Sequence, residues 1–597
     1  MAFFSLDNNG NNFDGTTGDD TIFGNGGDDA LRGGTGNDFI DGGADNDNVQ
    51  GQDGNDNLFA GISGKDTLRG GDGDDTLNFG FGDFGDLGDG GAGIDTIVLN
   101  YSAGFSGGPT PITVTVGPSF FVFAGAAKGV SAQNIERINI TTADGDDNIT
   151  GGGYADVMSC GLGLDTLKGL GGDDILGTGI GGFVANGGDG SDKLIADMSA
   201  ATTAIVFGVG ASASFTSDAG DGNARSIEVI DFASGSGNDT LTGGDGSDTL
   251  RGNAGSDKLT GAGGSDVLNG GDGDNTLDAG DGNDYCTVGS GSDTVSLGAG
   301  NDSLNDGGGN NAVICGSGND QVNTLGGNDT IVGGNGNDNL GSGGGADAIN
   351  GGSGDDIIGL TLDTLADTLI GGTGTDNARL TFVGTQVLET SINGAGVMIA
   401  KVNGAVVATV TECETFYISG GNGADIIRGG NGDDFLRGGP IFSDELTDND
   451  KVWGFGGNDI IRGDRGDDIL NGGNGNDFVK GDGGIDQVTG GTGKDTFEFQ
   501  WVTDGVDTIT DFVSADDTLY FNRGAGYGAL PNGGPITLIK GADPVTTAAN
   551  TGALFLYDTD NGFIYYDIDG HGGAAEVQIA TLKNAPQLTA DDFTAFV

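Results

Sequence analysis

The chain has 597 residues, with 22 Lys and Arg against 89 Asp and Glu, for a net charge of −67. That imbalance excludes nucleic acid as a partner, because neutralising phosphate needs Lys and Arg. Bare anionic lipid would likewise repel so acidic a surface.

Gly (129) and Pro (8) bring the composition close to the low-complexity range, but a strict period argues against disorder. Only about eight of the acids are Glu, so the acidity is Asp placed by the repeat, not an acidic tail. The first residues, Met1 to Asp7, contain no basic region and no long apolar run, and read as lacking a signal peptide. No window approaches the 18 apolar residues of a transmembrane segment. The four Cys read as scattered small hydrophobes and not as a disulfide framework.

In chain order, the first repeats place Asp20, Asp29, Asp38, Asp47, Asp56, Asp66 and Asp75 nine residues apart, with one extra residue before Asp66. An apolar residue follows each by two: Ile22, Leu31, Ile40, Val49, Leu58, Leu68 and Leu77. After a loose stretch, Gly90 to Asp95 closes this block. Residues 98–142 break the period with Ile112 to Val116 and Phe120 to Phe123, β-branched and aromatic runs that predict strands. The repeat resumes at Asp147, Asp156, Asp165 and Asp174. Phe183 then stands at the Asp position, and Asp192 restores the pattern. A second break covers 196–230.

The longest block shows the pattern without a slip. Its sixth position is Asp239, Asp248, Asp257, Asp266, Asn275, Asp284, Asp293, Asp302, Asn311, Asp320, Asp329, Asp338, Asp347 and Asp356, and Asp367 and Asp376 follow. The third break, 377–418, holds Asn403-Gly404 between two apolar runs, a strong hairpin signal. All three breaks share an exit. Glu136, Glu228 and Glu414 each precede the next repeat Asp by eleven residues, so the inserts form a larger repeat of their own. The last block carries Asp425, Asp434, Asp450, Asp459, Asp468, Asp477, Asp486 and Asp495, with a short insertion at 440–449. Beyond it the chain is less glycine-rich and more aromatic, which reads as a cap over the last open coil. The expected division is 1–97, 143–195, 231–376 and 419–498 as repeat blocks; 98–142, 196–230 and 377–418 as β-rich inserts; and 499–597 as the cap.

The nine-residue unit has a physical reading. Gly at positions one, two and four allows turn angles closed to other residues. Such a turn points backbone carbonyls inward, and Asp at position six is short enough to join them. Calcium takes six to eight oxygens, which two neighbouring turns can supply. The last three residues suit a short strand with its middle side chain inward. No repeat buries that side chain alone, so the repeats must stack.

This pattern, G-G-x-G-x-D-x-U-x, resembles that of RTX (haemolysin-type calcium-binding) proteins from Gly15 to Val597. The tail, with Asp507 to Phe512 and Asp592 to Val597, resembles the C-terminal region such proteins use for type I secretion. The resemblance implies an all-β parallel β-roll with many calcium ions along both edges, at the repeat Asp positions named above. It further implies export by a Gram-negative-type bacterium and folding outside the cell. Asn275, Asn311 and Phe183 depart from the motif and put their own turns in question. The effector domain usual in the family is not evident.

Little else in the sequence carries chemistry. The one His, His571, reads as a solvated turn residue and excludes a two-His zinc helix. No Gly-x-Ser-x-Gly elbow or Gly-Lys-Ser/Thr phosphate loop is present. Paired Asp can hydrolyse sugars, but calcium ligation accounts for these. Thr at position three is too scattered for an ice-binding face. The expected function is therefore non-enzymatic: a calcium-binding extracellular coat of S-layer type, fibril or adhesin. Its partners would be calcium, the secretion machinery, further copies of the chain and cell-surface polysaccharide. The alternative is a secreted polysaccharide-modifying enzyme or carbohydrate-binding protein acting through the inserts.

Overall fold

The computed structural model describes residues 2–80, 85–101, 112–117, 120–124, 130–209, 213–440, 448–524, 526–530, 536–545, 550, 552–570 and 575–596. His571, Val597 and positions 441–447 of the short insertion, each invoked above, lie outside the described residues. The protein is all-β, its described residues holding one 3-10 turn, Ala590–Asp592, and no α-helix. None of their helices is long and apolar enough to cross a membrane. The chain divides into two compact units, Met1–Gly298 and Ala299–Val597, and the division falls inside the longest repeat block.

Each unit is a parallel β-solenoid. In Met1–Gly298, successive short strands alternate between two sheets, and each pairs in parallel with the strand one coil later. One sheet stacks Ile22 on Ile40 and Ile40 on Leu58; the other stacks Leu31 on Val49 and Val49 on Leu68. All of these side chains are fully buried, which confirms the inward position read from the repeat. Two nine-residue turns make one coil because each half-coil supplies one inward aliphatic to one sheet. Ala299–Val597 repeats this arrangement, stacking Val322 on Leu340 and Val313 on Ile331. The turn glycines are forced: Gly36 holds φ at +125°, and a Cβ there would meet the Gly18 backbone.

The inserts are spliced into the sheets. In the first, Ser131–Gln133 stacks in parallel on Leu87–Asp89, and Thr113–Gly117 stacks on Asn148–Thr150. Phe120–Ala124 runs antiparallel between them. In the second, Gly220–Arg225 continues from Phe183 to Asn186, Ala213–Ser217 runs antiparallel to it, and Val206–Gly208 pairs with Thr240–Thr242. In the third, Ala405–Thr411 continues from Asp367 to Ile370, and Met398–Val402 runs antiparallel between it and Leu388–Ile392. The Asn403-Gly404 hairpin forms, with φ of +51° and +82°. Phe183, unable to offer an oxygen, is buried against the second insert, edge-on to Phe207 and Phe215.

After Asp495 the coil continues through Thr518–Asn522, stacked on Thr496–Phe499, and Phe593–Phe596 closes that sheet. Antiparallel strands Leu554–Asp558, Phe563–Asp567 and Val577–Leu582 follow the other sheet. Phe521, Phe555 and Phe593 pack together with centroids 4.4 to 6.0 Å apart. Aromatic packing thus replaces the glycine turns at this end.

Candidate metal centres

The stacking aligns position six into rows along both edges. In the first block, Asp20 donates its backbone N–H to Asp38 Oδ1 (2.7 Å), Asp38 to Asp56 (2.8 Å), Asp56 to Asp75 (2.8 Å) and Asp75 to Asp95 (2.8 Å). The opposite edge runs Asp29, Asp47, Asp66 and Asp86 in the same way. Equivalent rows include Asp156 to Asp174 to Asp192, Asp248 to Asp266 to Asp284, and Asp302 to Asp320 to Asp338 to Asp356 to Asp376. The last block runs Asp425, Asp450, Asp468 and Asp486 on one edge and Asp434, Asp459, Asp477 and Asp495 on the other. Every repeat Asp or Asn named from the sequence is buried.

One oxygen of each carboxyl is thereby satisfied. In most turns the other is not: Oδ2 of Asp38, Asp56, Asp174, Asp266, Asp338 and Asp468, among others, is buried with no hydrogen-bond partner. Asn275 shows where that second atom points. Its Nδ2 donates to the carbonyl oxygens of Gly271 (3.1 Å) and Gly273 (3.0 Å), in its own turn. Replace that amide with a carboxylate, and three oxygens face one another with no donor between them. A hard cation resolves this, because calcium is bound by carbonyl and carboxylate oxygens together. Without one, burial and then the neighbouring carboxylates of the row push Asp56 and Asp266 up to about 7 and Asp468 up to about 9. The turn residues therefore fit calcium.

Some turns are built differently. Asp156, Asp248 and Asp434, each in the second turn after an insert, receive a backbone N–H on Oδ2 from Gly152 (2.7 Å), Gly244 (2.6 Å) and Gly430 (2.6 Å). Asp425 and Asp20 are capped alike by Gly421 and Thr16. There an amide already occupies the direction a cation would take.

Several residues of the rows escape the nine-residue count. Asp86 extends the first block across a loop of irregular length. Asp507 and Asp517 extend the last rows into the cap. Glu136, Glu228 and Glu414 end their rows, each Oε2 accepting the N–H of Asp95 (3.0 Å), Asp192 (2.9 Å) or Asp376 (2.9 Å). The shared spacing of these three Glu was the signal; in register each stands where the next Asp of its row would, because Arg137, Val229 and Thr415 pair with Thr96, Lys193 and Asn377. Asn311 has Asp306 five residues before it, buried, which returns a carboxylate to that turn.

A second ladder occupies position five. Asn37 N–H donates to Asp19 Oδ1 (3.0 Å), Asn55 to Asn37 (2.9 Å) and Asp74 to Asn55 (2.9 Å), running opposite to the Asp ladder. Ile94 ends it, donating to Asp74 and owing no acceptor to a following coil. The frequent Asn, Asp and Ser before the repeat Asp was its legible sign.

Asn275→Asp is expected to add bound calcium, since it unplugs a turn whose carbonyls are already placed. Metal analysis of the purified variant against the parent decides this; an unchanged calcium count would show that the Asn275 turn already ligates.

Rows of buried carboxylates on a parallel β-solenoid define a calcium-binding β-roll. The chain belongs to the RTX calcium-binding nonapeptide repeat family, whose model matches residues 7–40, 32–63, 63–83, 141–176, 234–268, 260–295, 287–322, 323–358, 417–440, 446–470 and 471–499, more than half of the sequence. The repeats bind calcium in many copies. No curated protein sequence matches the chain. Among solved structures, the R3 subunit of an Azotobacter vinelandii mannuronan C5-epimerase is similar at 23% identity, over 29% of this chain and 80% of that one, with a TM-score of 0.14.

Proposed function

We propose that the protein is a calcium-rigidified extracellular scaffold, a surface coat of S-layer type, a fibril or an adhesin, that folds on meeting calcium after type I secretion. The observation that carries this reading is the recurrence of one buried, donor-less Asp Oδ2 turn after turn in both units. The described strands of the interruptions prolong the same sheets, which supports a continuous scaffold. Electron microscopy of the protein on its own cells, with and without chelator, tests the role. A surface layer or fibril that disappears on chelation is expected; a diffusely released, unassembled protein would overturn it.

A second reading, polysaccharide contact at the inserts, is favoured by clefts at two insert exits. One, of about 720 Å³, is lined by Val116, Glu136, Tyr154 and Leu170; the other, of about 710 Å³, by Ile392, Glu414, Phe416 and Phe455. Calcium-dependent turnover or retention of acidic polysaccharide, lost in Tyr154→Ala and Phe455→Ala, would favour it over the scaffold.

Export is assigned to residues 500–597, whose sequence resembles a type I secretion region. A chain lacking Asp591 to Val597 is expected to remain inside the cell, as read by fractionation of the producing strain. Its normal appearance in the medium would remove the assignment.

A further inference from the structure

We propose that Cys160, Asp147 and Asp165 form a mixed thiolate–carboxylate site for one thiophilic divalent cation of zinc's class, set into an edge row in place of calcium. Position one of the repeat lies against the carboxylate of its own turn. On the opposite edge of the same block that position is Gly151, Gly169 and Gly187, where a Cβ would fall 2.0, 1.8 and 2.2 Å from Oδ2 of Asp156, Asp174 and Asp192. A side chain at position one is therefore driven into the space of its own turn's carboxylate. On this edge the position holds Thr142, Cys160 and Thr178, all buried.

The consequence at Cys160 is a cluster. Its Sγ and a carboxylate oxygen each of Asp147 and Asp165 lie within 4.8 Å of one another, all three residues buried. Among the described residues no other group of His, Cys, Asp and Glu is so placed. Asp165 is fully buried and its Oδ2 has no partner, while its Oδ1 accepts the Asp147 N–H (2.9 Å). Asp147 is held from two sides, by the Ile112 N–H (2.7 Å) and the Thr142 hydroxyl (2.5 Å), with lone pairs to spare. Asp165 thus carries a bare, buried oxygen, and its carboxylate lies within reach of the sulfur.

The chemistry selects the cation. Calcium needs six to eight oxygens. This edge offers fewer, because the next coil carries Phe183 where Asp is expected, and sulfur takes the place of one. Zinc-class cations accept four ligands, sulfur and carboxylate among them. On binding, the S–H bond breaks, the thiol proton goes to solvent and its electron pair forms the sulfur–metal bond. Cys315 is the internal control. It also stands at position one, before Asp320, but belongs to no such cluster.

Cadmium is the probe, since thiolate-to-cadmium charge transfer absorbs in the near ultraviolet and calcium gives no such band. The full chain is refolded in calcium with increasing cadmium. One equivalent is expected to develop the band, zinc to displace it, and Cys160→Ser to abolish it while Cys315→Ser keeps it. No band at one equivalent, or a band surviving Cys160→Ser, would overturn the proposal. If Cys160→Ser fails to give the calcium-dependent β signal, Asp165→Asn decides: the thiol remains, and a fall of about tenfold or more in cadmium affinity is expected. Unchanged affinity in that variant would also overturn the site.

Discussion

Removal of calcium by chelator is expected to abolish most of the β circular-dichroism signal, and calcium titration to restore it cooperatively. The net charge of −67 opposes compaction, and the 129 glycines have large backbone entropy to lose. The rows add a local term, since most uncapped turns bury an oxygen with no donor. With the five amide-capped turns set aside, about thirty Asp turns remain, and on the order of twenty-five calcium ions would fit if each site draws on two, their charge offsetting most of that of the chain. At tenfold excess over the dissociation constant each ion contributes about 1.4 kcal/mol. Summed over the rows this exceeds the 5–15 kcal/mol by which domains are ordinarily stable. Magnesium, smaller and octahedral, is not expected to replace it. A chelated chain that kept its full β signal would show that the stacked aliphatics suffice alone.

The same chain without metal should respond to acid in a definite direction. Asp56, Asp266 and Asp367 are raised by burial from 3.8 to about 7 in the closed fold. Protonation therefore favours the fold. Its contribution is complete below 3.8, where the unfolded chain is protonated too, and is lost as pH rises through about 7. Some β signal should return to the chelated protein near pH 4 and be absent at pH 8.

Much of this was legible because the repeat states its geometry twice. Leu31, Val49 and Leu68 fix the inward direction, and Asp29, Asp47 and Asp66 fix the edge; a period of nine allows both only if two turns make a coil. Asp86 and Asp507 were hidden by loops of irregular length, which a stack tolerates wherever the strands keep register. Capped turns such as that of Asp248 were invisible for another reason. Gly244 is the same residue type whether it turns its carbonyl or its N–H toward the carboxylate. Asn275 could be named as a departure, but the two carbonyls that its amide plugs are a fact of the folded turn.

Gly318→Ala is expected to be strongly destabilising in the Ala299–Val597 unit. Position four of each turn lies against the same turn one coil earlier, and at Gly318 an added Cβ would stand 1.6 Å from the Gly300 carbonyl oxygen. That atom is backbone, so no side-chain rotation relieves the clash. The residue also holds φ at +126°, a region that L side chains rarely adopt. Strain of this kind costs about 1–3 kcal/mol and overpacking about as much again, so a loss of about 3–5 kcal/mol is expected. The methyl must push the coils at Asp302 and Asp320 apart, lengthening the 2.9 Å bond between them and weakening the cation site in that turn. The calcium midpoint should therefore rise as Tm falls. Gly394→Ala is the matched control: a Cβ there meets nothing within 4 Å, and its effect should lie within about 0.5 kcal/mol of zero. Equal Tm and equal calcium midpoints for the two variants would show that the close approach of successive turns is not what the repeat glycines at position four are for.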